Sequence, residues 1–368
     1  MSRLPPPLEP PAAPPSLSLQ ALHPGNFAFV MASGILSLGF RALGLALLAE
    51  MLAAVALAAW GLLLVLSLLR VLRHGAAVRT DLLNPRLVFA YFTLVAATSI
   101  VGLLMHAWGQ RGLAAACWAM AFTAWCLLLY LAFSVLTFLT HESNVNIVHG
   151  GWLIAIVGTQ SLVLLGARIA PDLGPYAPAM MVEVYMLWGL GLAFYGIFVT
   201  LFCYRIFFLA LKAQDIGPLL WVVMGAAAIS ANAGTTLITE DAQLPFLAAQ
   251  RPFIDGITLM IFAWATWWIP MLLLFGIWKH GVNRLALRYE PVLWSAVFPL
   301  GMYAVASARL GLAAEFRPLQ WISRGMIWVA LAAWLLVAGA MLLRLWRSWR
   351  AAAQPGRPST RGRPSQLP

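Results

Sequence analysis

Runs of about twenty apolar residues follow one another through almost the whole chain, divided only by short polar punctuation. That pattern fixes the solvent before it fixes the fold. A helix crossing the hydrocarbon core of a bilayer needs about 20 predominantly apolar residues, whereas barrel strands would alternate in polarity, which these runs do not. Ten segments are legible, at 26–43, 45–69, 86–106, 113–139, 149–167, 182–209, 217–239, 252–278, 292–312 and 321–343. Breakers separate several of them, as in Asn84-Pro85, Gly217-Pro218 and Arg251-Pro252. With 62% of its 368 residues hydrophobic and 10% charged, the chain is too apolar for a soluble protein of its length. The expectation is an all-α integral membrane protein with ten transmembrane helices. These occupy 23–346, between disordered tails, Pro-rich over 1–22 and Arg- and Pro-rich over 347–368.

A formal charge of +11 raises the question of a nucleic-acid partner. Ten spans place both termini on one side, and alternate assignment of the loops puts the whole excess there, leaving the other side balanced. By the positive-inside rule both termini are cytoplasmic. Topology therefore accounts for the charge, no nucleic acid is expected, and the tail after Arg344 is expected against anionic lipid headgroups. Arg3 is followed by a proline cluster from Pro5 to Pro15 without the apolar core of a cleavable signal. Two lysines beside many arginines point to a GC-rich, bacterial genome, hence a plasma (inner) membrane.

No Walker A, H-E-x-x-H or G-x-S-x-G string occurs, and Cys117, Cys126 and Cys203 lie inside apolar runs. Neither catalytic residues, a metal nor a cofactor is expected, and the chain is not read as an enzyme. His141, Glu142 and His149, between the fourth and fifth segments, are placed to titrate near neutral pH and to couple transport to protons, or simply to be solvated. Many of the 17 tryptophans, including Trp60, Trp152 and Trp188, stand near predicted helix ends, as interfacial belts do.

Polar side chains concentrate in the odd-numbered segments: Ser33 and Ser37, Thr98 and Ser99, Thr159 and Gln160, Ser230, Asn232 and Thr235, Ser295 and Ser307. Membrane helices hide such groups from lipid, so a ring of odd helices backed by even ones would turn these residues onto a central path. Close helix packing by small polar residues is the alternative. No carboxylate falls near the middle of an odd segment, and neutral donors favour anions over cations. Arg309, toward the outer end of the ninth segment, either draws anions to a vestibule or snorkels to headgroups.

Several strings are more specific. His23-Pro24-Gly25-Asn26-Phe27, Gly150-Gly151-Trp152-Leu153, Trp221 through Ser230, Trp267-Trp268-Ile269-Pro270, and Tyr289-Glu290-Pro291 with Trp294 through Tyr303 occur in that order. Together they resemble the tellurite-resistance and C4-dicarboxylate transporter family, which is related to the slow-type anion channels of plants. The resemblance implies five helical hairpins, odd helices inside around a pore and even helices outside, and a homotrimer. It also implies small inorganic or dicarboxylate anions as cargo (C4-dicarboxylate, tellurite, sulfite or halide), and a gate formed by Phe298 directly before Pro299. Two rival readings are a proton-coupled C4-dicarboxylate carrier with alternating access and a non-transporting membrane scaffold or sensor.

Overall fold

The computed structural model describes residues 18–139, 148–287 and 289–352. His141, Glu142 and, of the expected tails, residues 1–17 and 353–368 lie outside the described residues, which contain no strand; 347–352 continue the last helix. Each of the ten apolar segments holds one long helix. These are α1 (Ala28–Ala42), α2 (Ala46–Arg73), α3 (Phe92–Ala107), α4 (Arg111–Ser134), α5 (Ile154–Ile169), α6 (Ala177–Phe208), α7 (Val222–Thr239), α8 (Arg251–Gly276), α9 (Trp294–Ala313) and α10 (Arg317–Ala352). Among the described residues, eight stretches are long and apolar enough to cross a membrane. α1, with 15 residues, is shorter than such a stretch, while α5 and α6 share one, Gly150–Phe208. That stretch turns over Ala170–Tyr176, where Gly174 holds φ at 56°, a value that costs glycine little.

The odd helices close a ring: α1 touches α3, α3 touches α5, α5 touches α7, α7 touches α9, and α9 returns to α1. Each even helix leans on the inner helix before it, and α2, α4, α6 and α10 also reach the next inner helix around the ring. Burial follows this order, from 94% of the most apolar window in Pro218–Thr239 to 17% of that in Ala46–Arg73. Lipid tails are as apolar as leucine, so tight packing between membrane helices depends on small residues rather than on hydrophobic exclusion. Glycines supply this at the inner seams. A side-chain carbon on Gly34 would stand 2.4 Å from Ile100, and one on Gly102 would stand 2.4 Å from Leu165. At Gly301 the distance to Ile35 would be 2.9 Å.

Every inner helix starts on one 3-10 turn, at Pro24–Phe27, Val88–Tyr91, Gly150–Leu153, Pro218–Trp221 and Pro291–Leu293. A proline costs nothing there, because the first amides of a helix have no partner within it. Side chains capture some of those free amides. Nδ1 of His23 accepts from the Gly25 N–H and Nδ1 of His149 from that of Gly151, both at 3.0 Å. Oδ1 of Asn84 accepts from the Arg86 N–H at 2.9 Å on the approach to α3. The sequence signal is an acceptor, then Pro or Gly, then an aromatic residue a few positions on.

Candidate functional site

At the end of the ring where the inner helices finish lies a cavity of about 570 Å³. Ala42 of α1, Ala107 of α3, Arg168 of α5 and Leu312 of α9 line it, together with Gln320 from the first turn of α10, so these inner helices run parallel. Asn232 adds a wall from α7. Parallel helices accumulate partial negative charge at such an end, which would repel an anion. Basic residues offset it, with Arg41, His106 and Arg168 in the last turns of α1, α3 and α5.

Most of these basic groups are already paired. Arg41 bridges to Glu50, and Nη1 of Arg168 stands 2.9 Å from Oε1 of Glu240. Nε2 of His106 lies 3.1 Å from Oδ2 of Asp172, whose other oxygen meets Arg111 at 2.9 Å. Arg309 differs. Its Nη1 donates to Thr236 Oγ1 at 2.7 Å and to Asn232 Oδ1 at 3.3 Å, both neutral acceptors. Amide and hydroxyl fix the guanidinium without cancelling its charge, and its side chain lines the cavity instead of snorkelling to a headgroup.

Met302, Val305 and Arg309 put one face of α9 on the cavity. Phe298 precedes Met302 by one helical turn and so falls on the same stripe. It is 3% exposed. The next residue, Pro299, sits against α7, where a side-chain carbon on Gly225 would be 2.7 Å from its ring.

Of the residues expected on a path, the structure brings only Asn232 and Arg309 to the cavity. Ser33 accepts from the Trp334 indole at 2.9 Å, Ser37 donates to Ala49 O at 2.8 Å, and Thr98 accepts from Trp60 at 3.1 Å. Thr159 accepts from Trp125 at 2.7 Å, and Nε2 of Gln160 donates to Trp188 O at 3.2 Å. All five turn toward outer helices: Ser33, Thr98 and Thr159 accept from a buried indole N–H, while Ser37 and Gln160 donate to outer-helix carbonyls, because polar groups buried in a bilayer need partners. Ser99, Ser230, Thr235 and Ser307 donate to carbonyls of their own helices at 3.0, 2.7, 3.0 and 2.7 Å. Ser295 is buried near the start of α9. None of these residues stands on the cavity wall.

A profile of the voltage-dependent anion channel family SLAC1 matches residues 21–342. The chain belongs to this family. The match takes in all five inner helices and the cavity residues together, and the chain is accordingly an integral membrane protein of a transporter and channel family. It is 43% identical over 141 residues to an uncharacterized membrane protein of Mycobacterium tuberculosis, covering 38% of this chain and 71% of that one. It is also 23% identical over 200 residues to an uncharacterized transporter of Methanocaldococcus jannaschii, 54% of this chain and 56% of the relative.

Two further features differ from the sequence reading. His149 does not titrate near neutrality. Burial pushes its imidazole down to about 4, and the ring is committed at both nitrogens, to the Gly151 N–H and to Arg86 O at 3.1 Å. Burial also lowers His23. Tryptophans expected at the interface instead tie elements together: Trp60 to Thr98, Trp188 Nε1 to Ser230 O at 3.1 Å, and Trp152 Nε1 to Pro85 O at 3.2 Å.

Proposed function

We propose that this protein moves small inorganic or carboxylate anions along the axis of its inner helix ring, with Phe298 before Pro299 as the gate. Ten spans form five hairpins with both termini cytoplasmic, in a bacterial plasma membrane, three chains to an assembly with one path each. The tails over 1–22 and 347–368 lie outside the transport unit. The observation that carries this reading is the cavity at the common C-terminal end of the inner helices. Its fixed cation, Arg309, is held by neutral partners and shares a stripe of α9 with Phe298. An apolar ring across a narrow path excludes water, and dewetting raises the barrier to a hydrated ion.

Proton coupling through His149 is disfavoured by a burial that keeps the ring neutral at physiological pH. The test is flux from liposomes reconstituted with purified protein. Anion flux without matching cation flux is expected; its complete absence for chloride, nitrate, formate and succinate would leave the scaffold reading standing. Unitary currents separate a channel from an alternating-access carrier, which turns over too slowly to give them.

A further inference from the structure

We infer that Arg309 determines specificity by shape as well as by charge, reading a pair of coplanar oxygens on the anion in preference to a spherical halide. The inference rests on the proposed anion path and adds to it a particular edge of one side chain. Both hydrogen bonds of Arg309 leave from Nη1, to Thr236 Oγ1 and Asn232 Oδ1. A guanidinium carries two parallel N–H bonds along its Nε and Nη2 edge, spaced to match the two oxygens of a carboxylate or nitrate. With Nη1 anchored on α7 and the residue lining the cavity, the guanidinium is held in one orientation, so little rotamer freedom is lost when an anion docks.

The surroundings support the assignment. Arg168, the neighbouring cation on the wall, has Glu240 for a carboxylate partner, so the chain already uses one arginine at this end to hold a carboxylate. Arg324 lies exposed at the rim, and His106 faces Asp172, which leaves Arg309 as the deep cation held by neutral partners, with Glu240 acting on it from a distance while in contact with Arg168. Ile35, Leu38, Leu103, Leu164 and Met302 line the same cavity with apolar surface. In that setting a bidentate contact is screened less than it would be in bulk water.

The experiment compares formate, chloride and bromide at equal concentration in liposomes carrying the full chain, with chloride in the same preparation as the reference. Dehydration alone orders them bromide, chloride, formate, because formate holds its water most strongly. The fork predicts formate ahead of chloride, by about fivefold or more, and Arg309→Lys, which keeps the charge but loses the parallel donors, should return the series to the hydration order. If Arg309→Lys does not insert as a folded protein, the same ratio is read in Thr236→Val, which removes the shorter tether and should lower it. Wild-type flux in hydration order overturns this inference and leaves the anion path intact. A folded variant that keeps the wild-type ratio does the same. No flux of any anion removes both.

Discussion

Replacing Phe298 with alanine separates a gate from a packed core residue, because the two roles predict opposite pairs of results. The ring is 3% exposed in the structure. Moving a buried phenylalanine side chain into a water-filled path costs about 1.5–3 kcal/mol. At about 1.4 kcal/mol per tenfold, the occluded arrangement is then favoured by about 10- to 100-fold, and deleting the ring should raise anion flux by that factor. Pro299 would assist such a motion, since its missing N–H leaves α9 without one internal hydrogen bond beside the ring. Stability supplies the second measurement. A phenylalanine packed on all sides costs about 3–5 kcal/mol when cut to alanine, whereas a ring bordering a path leaves space that water refills, and the cost falls well below that. The assay is flux from liposomes with matched protein content, paired with thermal unfolding followed by size-exclusion chromatography. Flux within about twofold of wild type, together with the full stability loss of a core truncation, would refute the gate.

Other perturbations test the scaffold that holds the path. Trp125→Phe combined with Thr159→Val in a double-mutant cycle should give a coupling of about 0.6 kcal/mol and no more than about 1.7, read from unfolding in detergent. Gly225→Val drives a side chain into Pro299, whose ring cannot swing aside, so a loss of about 1–3 kcal/mol and altered flux are expected from the same two assays. His149 stays neutral when folded down to about 4, against an ordinary 6.5, so between those values the unfolded chain binds the extra proton. Stability should be complete above about pH 6.5 and fall as the pH drops toward 4, by about 3 kcal/mol at most. His149→Asn should flatten that slope while keeping the cap, as Asn84 does on the approach to α3.

The sequence by itself determined the solvent, the ten helical segments and the family, because hydropathy is a property of each residue and accumulates along the chain. It also separated inner from outer helices, since polar and small residues gather where lipid cannot reach. It did not determine which way those residues face. Ser33 and Ser37 share a helical face whatever surrounds them. Only the packed ring shows that the face meets Trp334 and Ala49. Arg309 is the same case in reverse, because one guanidinium near a helix end is compatible with a headgroup or a vestibule. Its tether to Asn232 and Thr236 crosses from α9 to α7, and no local pattern encodes such a pairing. Orientation within a bundle is set by contacts between segments distant in sequence, so it is decided when the helices pack and not before.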